Sequence, residues 1–384
     1  MKIDILDALE QSLEQYADFP ELRRELAGIS FASQVNVLAL GKSAFPMAKL
    51  ACEVLSARNV AYEGYLLTKY GHCPASIPHI ISMEASHPLP DANSIKHSRD
   101  ILGWLSSLNP EEDMLILLSG GTSALFEVPE GRMELSEIVQ LYDSLLQSGK
   151  SIAEINAERK KLSKVKDGKA LKYIACNRIY CFALSDVMHN DPAVIGSAPF
   201  YRGDELRLQY RIVGDNHGFL CTLADIIGQN AVVHSRFVAQ EAEGWAVALA
   251  DYALSSEAKG IHLFGGEAPV QVGWQGDGAI SHEGFAIGRG GRCTHLALLF
   301  AKLIAGHEGI SLVAYATDGS DYLQNCGGAR VDGCTAQQLQ AKGIDIDRAL
   351  ASFDSFGALN AIGAIIPALP HKINVNDVFI LTLT

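Results

Sequence analysis

Apolar residues recur along this chain in two alternating patterns. Ile3, Leu6, Leu9, Leu13 and Tyr16 follow helical spacing and predict an opening amphipathic helix. Beyond it, continuous apolar runs typical of buried strands alternate with helical patterns. The runs cover residues 35–40, 114–118, 179–184, 211–213, 261–264, 270–272, 312–316 and 377–383, and the helical patterns cover 47–55, 219–227 and 294–304. Strands that alternate with helices predict an α/β fold with mainly parallel sheets.

The length of the chain predicts more than one domain. At 384 residues it exceeds the size of one typical hydrophobic core, so two domains are expected. We place the boundary near residues 230–240, which gives an N-terminal domain of residues 1–236 and a C-terminal domain of residues 237–384.

Composition narrows the classes of protein that the chain can belong to. Its formal net charge of −13 disfavours nucleic acid and anionic membranes as partners. It has no apolar run of about 20 residues that could span a bilayer, and its first residues lack the order of a signal peptide. Eight cysteines without a Cys-x-x-Cys pair indicate reduced thiols and a cytoplasmic location. The absence of His-Glu-x-x-His argues against a hydrolytic zinc.

Polar residues follow several of the expected strands at the point where each strand ends. They are Lys42, the segment Ser119–Ser123, Asp186, and Asp318 with Asp321. In open α/β sheets ligands bind outside the carboxyl ends of the strands. The sequence therefore predicts a binding site built from these segments.

Two glycine-containing segments suggest phosphate binding. Lys42 follows Gly41 between a strand and a helix, and Gly288–Arg292 leads with its glycines and arginines into a helical pattern. Backbone N–H groups and a cation at a helix start form an anion site. Lys42 does not belong to a Walker A motif, because Asn36 stands where that motif needs glycine. The alternative for Lys42 is a lysine in a turn at the sheet edge, and for Arg292 an exposed arginine in a surface turn.

The other candidates each keep a structural alternative. The segment 119–123 could admit a ligand close to its backbone or form only a tight turn. Leu125 interrupts its similarity to Gly-x-Ser-x-Gly, which disfavours a serine hydrolase. Asp186 and Asp318 could bind magnesium, activate an alcohol or cap a helix. The basic run 159–166 could bind an anion or form a solvated face, and we expect a structural role for His87.

Taken together, the motifs resemble the glycerate 2-kinase family, whose C-terminal half is the MOFRL domain. The resemblance spans nearly the whole chain in order. Its motifs are Gly41-Lys42-Ser43-Ala44 with Met47, His87–Asp91, Ser119–Leu125, Glu154–Asn156, Arg159-Lys160, Leu162-Ser163, Ser185–Val187, Gly265–Glu267, Gly290–Arg292, Thr317–Gly319 and Asn374–Asp377.

The resemblance implies two α/β domains, the first Rossmann-like with a mainly parallel sheet, and an active-site cleft between them. It implies transfer from ATP, with Mg²⁺, to the 2-hydroxyl of D-glycerate or a related small hydroxy acid. A homodimer is one possible assembly. The implied catalytic residues are Lys42, Asp186, Arg292 and Asp318, of which Asp186 and Asp318 are also the metal ligands. The implied cofactor-binding residues are Ser119, Gly120, Gly121, Ser123, Gly290 and Gly291, and the substrate-binding residues are Asn156, Arg159, Glu267 and Asp321.

Several segments depart from the family pattern near the implied cleft. They are residues 188–191, 197–200, 293–294 and 320–325. These departures leave open a divergent relative that binds a ligand without turnover. The fold class also leaves open an NAD(P)-dependent hydroxypyruvate reductase, although no Gly-x-Gly-x-x-Gly turn follows the first strand.

Overall fold

A computed structural model describes residues 4–131, 135–147, 152–228, 230–255, 259–270, 274–275, 278–279, 288–323, 325–370 and 373–384. The contacts within the chain divide it into two compact units. The parallel unit is Asp18–Asp215, and the mixed unit joins Met1–Ala17 to Asn216–Thr384. Each unit takes its name from the direction of the strands in its sheet.

Helices and strands follow one another along most of the described chain. The helices are α1 (Ile5–Ala17), α2 (Pro20–Gly28), α3 (Ala44–Ala57), α4 (Ala92–Ser107), α5 (Thr122–Leu125), α6 (Leu135–Gln147), α7 (Ile152–Lys161), α8 (Asn216–Ile227), α9 (Ala242–Ser255), α10 (Arg292–Leu303), α11 (Thr335–Ala341), α12 (Ile346–Ala351) and α13 (Ser355–Ala361). The strands are β1 (Gln34–Leu40), β2 (Ala61–Lys69), β3 (Ile80–Ala85), β4 (Asp113–Leu118), β5 (Arg178–Leu184), β6 (Leu208–Gly214), β7 (Ala231–Val238), β8 (Gly260–Gly266), β9 (Trp274–Gln275), β10 (Gly278–Ala279), β11 (Ile310–Ala316), β12 (Cys326–Asp332), β13 (Ile365–Pro367) and β14 (Asp377–Leu383).

The sheet of the parallel unit has the strand order of a dinucleotide-binding fold. Its order is β3-β2-β1-β4-β5-β6, and every neighbouring pair is parallel. The order reverses between β1 and β4, where Leu40 pairs with Leu118. This confirms the prediction of a Rossmann-like first domain and places a topological switch point at the ends of β1 and β4.

The central strands of this sheet are fixed by burial. All residues of β4 are buried, and so are all residues of β1 after Gln34. Leu40 and Leu118 belong to one core cluster with Ile101 and Leu105 of α4. Complete burial of such a side chain stabilises the fold by about 1.5–3 kcal/mol. The loops that follow these strands are therefore held on a rigid base.

The sheet of the mixed unit differs from the expected parallel arrangement. Its order is β13-β12-β11-β14-β8-β7, and only β7 and β8 pair in parallel within the described residues. The closing strand β14 runs antiparallel to both of its neighbours, β11 and β8. The prediction of mainly parallel sheets is correct for the first sheet and wrong for the second, because apolar runs do not encode strand direction.

The units also divide at a different position from the boundary expected near residue 236. α8 packs against α1, where the rings of Tyr16 and Phe219 meet edge to face at 5.6 Å. β7 pairs with β8. Residues 216–236 therefore belong to the mixed unit, together with the N-terminal helix. The two domains 1–236 and 237–384 stay a prediction, since compact units and domains need not coincide.

The predicted elements are observed except in one segment. Helices and strands occupy every other expected range, with ends that differ by a few residues. Residues 271 and 272 of the expected strand at 270–272 lie outside the described residues, and Val270 is not in a strand. None of the described helices is both long enough and apolar enough to cross a membrane.

Candidate active site

The loops that follow β1 and β4 are bonded to each other at the switch point. The Lys42 N–H donates to the Gly120 carbonyl at 2.8 Å, and the Ser43 N–H donates to Ser119 Oγ at 3.0 Å. Ser119 Oγ in turn donates to the Leu40 carbonyl at 3.2 Å. Ser119 and Gly120 lie 77 and 78 residues after Lys42 in the sequence. These hydrogen bonds therefore join the two loops into one structure. The structure brings these predicted residues together.

Two glycines allow this close approach. Gly41 and Gly121 have φ values of +113° and +89°, a region that residues with a side chain rarely adopt. A Cβ on Gly41 would overlap Ser119 Oγ, and a Cβ on Gly121 would lie 3.2 Å from Lys42 Cγ. The glycines are thus required by the geometry of the loops, and Gly121 lies directly beside the Lys42 side chain.

Two histidines also lie at this edge of the sheet. His72 Nδ1 is 3.3 Å from the Lys42 carbonyl oxygen, and a Cβ on Gly121 would be 3.2 Å from His87 Cδ2. His72 follows β2 and His87 follows β3, so they share the strand-end position of Lys42. Sequence reasoning gave His87 a structural role and did not consider His72. Their positions after the strands were the signal that could have identified both.

α3 begins two residues after Lys42, at Ala44, and its first turn has few N–H groups to offer an anion. The side chain of its N-cap residue Ser43 makes no capping hydrogen bond within the described chain. Within this first turn, the Ala44 N–H donates to the Gly41 carbonyl at 3.2 Å, and Pro46 has no N–H. An anion at this edge would therefore be bound mainly through the Lys42 cation.

The remaining candidates of the parallel unit lie further along the chain. Asp186 is partly buried and stands two residues beyond β5, the strand next to β4. Ser123 Oγ lies 2.9 Å from Ser197 Oγ. Arg159 is partly buried in the last turn of α7, and the side chain of Asn156, in the same helix, lies outside the described part.

The basic run 159–166 is neither a simple solvated face nor a simple anion site. Lys160 Nζ donates to the Ala193 carbonyl at 3.0 Å, and Lys169, just beyond the run, donates to the Lys160 and Ser163 carbonyls. Lys166 is 1% exposed and pairs with Glu127. Lys161 is exposed. Much of the charge in this segment is therefore used inside the fold, an interpretation that the sequence did not offer.

In the mixed unit, a second group of candidates lies at one edge of the sheet. The carboxyl ends of β8 and β11 meet the amino end of β14, where Asp377 pairs with both Gly266 and Ala316. Thr317 Oγ1 donates to the Asn376 carbonyl at 2.7 Å and holds the two loops together. Glu267 follows β8, and Asp318 follows β11.

Arg292 is bound by two carboxylates at this edge. Its Nε and Nη2 donate to Asp377 at 3.1 Å each, and its Nη1 donates to Glu267 at 2.6 Å. Asp377 is 1% exposed, whereas the side chains of Arg292 and Glu267 are 40% and 46% exposed. Burial raises the pKa of Asp377 to about 6, although Arg292 opposes this. Asp377 raises the pKa of the Arg292 guanidinium well above its usual range. Two acidic partners thus offset the charge of this expected anion-binding residue.

Asp321 caps α10 from within the chain. Its carboxylate accepts the N–H groups of Cys293 at 2.9 Å and Thr294 at 2.8 Å. Burial raises the pKa of Asp321, and these two backbone N–H groups oppose that effect. A Cβ on Gly291 would overlap the Asp321 carboxylate, and one on Gly290 would overlap Ser355 Oγ. The helix start that follows the expected phosphate site at 288–292 is therefore already capped by a carboxylate of the protein itself. Cofactor binding by Gly290 and Gly291 and substrate binding by Asp321 remain predictions.

Asp318 has a different environment. It is partly buried, and its Oδ1 accepts the N–H of Ser320 at 3.0 Å in a local turn. Within the described ranges, no group of three or more His, Cys, Asp or Glu residues could hold a metal ion. Any magnesium bound by Asp186 or Asp318 would therefore need further ligands.

Two family models match the chain. The model described as a domain of unknown function (DUF4147) matches residues 5–218, and the MOFRL family model matches residues 260–377. A D-glycerate 2-kinase from Thermotoga maritima is 32% identical to this chain, over 98% of this chain and 96% of that protein. The chain belongs to the glycerate 2-kinase family. This confirms the resemblance and the prediction of a glycerate 2-kinase-like phosphotransferase.

A solved structure shares the fold of this glycerate 2-kinase family member, and another relative carries a different name. The solved structure of a glycerate kinase from Thermotoga maritima superposes with a TM-score of 0.83 at 30% sequence identity, covering 98% of both chains. A protein from Agrobacterium vitis, named as a candidate hydroxypyruvate reductase, is 30% identical over 89% of this chain and 85% of its own.

Proposed function

We propose that this protein is a kinase that transfers a phosphoryl group from ATP to the 2-hydroxyl of D-glycerate, or of a related small hydroxy acid. The observation that carries the proposal is the position of Lys42 beside Gly121 at the switch point of the parallel sheet. Ligands of open α/β sheets bind at this point. The names of the related kinases support phosphoryl transfer as the reaction there.

The residues at the switch point suit the phosphates of a nucleotide. Because Gly41 and Gly121 carry no Cβ, the loop backbones can lie close to Lys42. Lys42 supplies a cation for the phosphate oxygens. Lys42 and the loop Ser119–Ser123 would therefore bind and orient the phosphate chain.

Magnesium suits the carboxylates that the sequence predicted, provided that phosphate oxygens complete its coordination. Mg²⁺ takes one or two protein carboxylates together with substrate phosphates, and we assign these carboxylates to Asp186 and Asp318. Bound with the nucleotide, the ion would supply positive charge to the phosphates. One of these carboxylates would also accept the proton of the 2-hydroxyl as it attacks. Phosphoryl transfer depends mainly on positioning and on charge stabilisation.

Arg292 and Glu267 are proposed to bind the acceptor. The pair with buried Asp377 fixes the direction of the guanidinium, and Nη1 of the partly exposed Arg292 side chain donates to Glu267 at 2.6 Å. A glycerate carboxylate at Nη1 would compete with Glu267, so we expect Glu267 to turn toward the hydroxyl groups of the substrate when it binds.

The decisive experiment measures ADP release with D-glycerate and ATP for wild type, Lys42→Ala and Lys49→Ala. Lys49 is the control because it lies on α3 with a side chain 62% exposed. We expect Lys42→Ala to lower kcat/KM by about 100-fold or more, since it removes a charge that stabilises the transition state. Lys49→Ala should change it by no more than about twofold. Phosphorus NMR of the product identifies the 2- or the 3-phosphate. Full activity in Lys42→Ala would exclude Lys42 from the mechanism.

The name of the Agrobacterium relative keeps hydroxypyruvate reduction as a second candidate. The loop after β1 carries only Gly41 in the stretch where a dinucleotide fingerprint has three glycines, which disfavours it. Oxidation of NADH by hydroxypyruvate without ADP release would establish the reductase. Thermal stabilisation by ATP without either reaction would indicate a binding protein that has lost turnover.

A further inference from the structure

Lys166 and Glu127 form an ion pair that is almost completely removed from solvent. Both side chains are 1% exposed, and the Lys166 ammonium bonds to a Glu127 carboxylate oxygen. Burial lowers the pKa of Lys166, whereas Glu127 raises it. Burying both charges costs solvation free energy that their attraction repays only in good geometry. Stability alone is therefore a weak reason for the pair.

The ammonium has a second partner in the loop of the candidate site. Lys166 Nζ donates to the Ser123 carbonyl at 2.7 Å. Ser123 ends the segment 119–123, whose Gly121 lies beside Lys42. Glu127 stands four residues further along and donates its own N–H to Ser98 Oγ at 3.0 Å. One buried ammonium thus joins the short helix α5, which contains Ser123, to Glu127 just after it.

The segment that carries Lys166 is itself fixed to the chain that follows this loop. The Lys164 N–H donates to the Val128 carbonyl at 2.7 Å, and the Glu130 N–H donates to the Leu162 carbonyl at 2.8 Å. These backbone bonds leave Lys166 little freedom to move. Its ammonium can therefore hold the Ser123 carbonyl in one position.

We propose that Lys166 is a positioning residue that holds the loop Ser119–Ser123 in its nucleotide-binding conformation through the Ser123 carbonyl. The proposal rests on the proposed function, because it takes this loop as the phosphate-binding element. An apolar pair of similar volume would fill the same space, yet it would leave the carbonyl without its charged donor. Nucleotide binding should then weaken while the fold persists.

The test compares two double variants. In Glu127→Leu/Lys166→Met both charges are removed together, so that no single buried charge remains. The control is Asp113→Asn/Arg178→Gln, which removes a pair at the opposite end of β4, where Arg178 Nη2 donates to Asp113 Oδ2 at 3.0 Å. For each folded variant, calorimetry gives the Kd for ATP, and the coupled assay gives kcat and the KM values for both substrates.

We expect the Kd and KM for ATP to rise about tenfold in Glu127→Leu/Lys166→Met, equivalent to about 1.4 kcal/mol. The KM for D-glycerate should stay near the wild-type value, and the control should keep the wild-type Kd for ATP. If the leucine–methionine variant does not fold, Glu127→Gln/Lys166→Gln replaces it, and the same rise is required.

An unchanged Kd for ATP in the folded variant would overturn the proposal, and so would an equal rise in the control. A wild-type protein that binds ATP but releases no ADP with D-glycerate would refute the kinase function alone. The comparison of Kd values would still decide the role of Lys166. A wild-type protein that binds no ATP would overturn both.

Discussion

Replacing Asp321 by alanine tests whether its carboxylate caps the start of α10 and so stabilises the fold. The substitution leaves the N–H groups of Cys293 and Thr294 without the carboxylate that accepts them at 2.9 and 2.8 Å. Hydrogen bonds to a charged group contribute about 1.5–3 kcal/mol each, and loss of an N-cap costs about 0.5–2 kcal/mol. Burial of the carboxylate offsets part of this, since it raises the pKa of Asp321. We therefore expect a loss of about 2–3 kcal/mol.

Asp345 provides a matched control on α12. It accepts the N–H groups of Asp347 at 2.9 Å and Arg348 at 3.1 Å in the same manner, but it is exposed. Water can replace the carboxylate there, so Asp345→Ala should cost only about 1 kcal/mol. Urea unfolding followed by circular dichroism measures both free energies. The reasoning is refuted if Asp321→Ala is no more destabilising than Asp345→Ala.

Two further predictions follow from the two sheet edges. Gly121→Ala should raise the KM for ATP about tenfold or more, because its Cβ would press on Lys42 and His87. Gly131→Ala, at a φ of +66° with no atom within 4 Å of the added Cβ, should leave this KM unchanged in the same kinetic assay. Since the pKa of Asp377 is raised to about 6 in the folded state, its contribution to stability falls as the pH rises from about 4 to 6. The destabilisation caused by Asp377→Asn should therefore shrink across this interval in urea unfolding, by about 3 kcal/mol at most, and a constant or growing difference would contradict the assigned pKa.

The first sheet could be predicted because its strands are buried on both faces. β1 and β4 appear in the sequence as unbroken apolar runs, and burial on both faces is what parallel strands between helices require. The second sheet has no such signal of direction. β12 begins Cys326-Gly327-Gly328, with little apolar character, and it pairs antiparallel with β11. Its presence and direction depend on tertiary contacts that a local pattern does not contain.

Only part of the candidate site could be predicted from the sequence. The position of Lys42 could be predicted because a lysine after a buried strand needs only local sequence. The cap on α10 could not, because Asp321 lies 28 residues after Cys293 and reaches it only through the fold. The importance of His72 and His87 likewise depends on which strands become neighbours, here β2 and β3 beside β1.

The starts of α3 and α10 look equivalent in sequence but differ in what they can bind. Both stand beside a glycine and a basic residue, the pattern of an anion site. At α10, Asp321 already accepts two of these groups, and Asp377 and Glu267 offset the charge of Arg292. At α3, Pro46 has no N–H, and the Ala44 N–H already donates to the Gly41 carbonyl at 3.2 Å. A nucleotide phosphate at α10 would have to displace or lie against these carboxylates, and at α3 it would be bound through Lys42 rather than through the helix start. The carboxylates around Arg292 therefore make the start of α10 a poor site for a phosphate, and this acidic edge is better suited to hydroxyl groups.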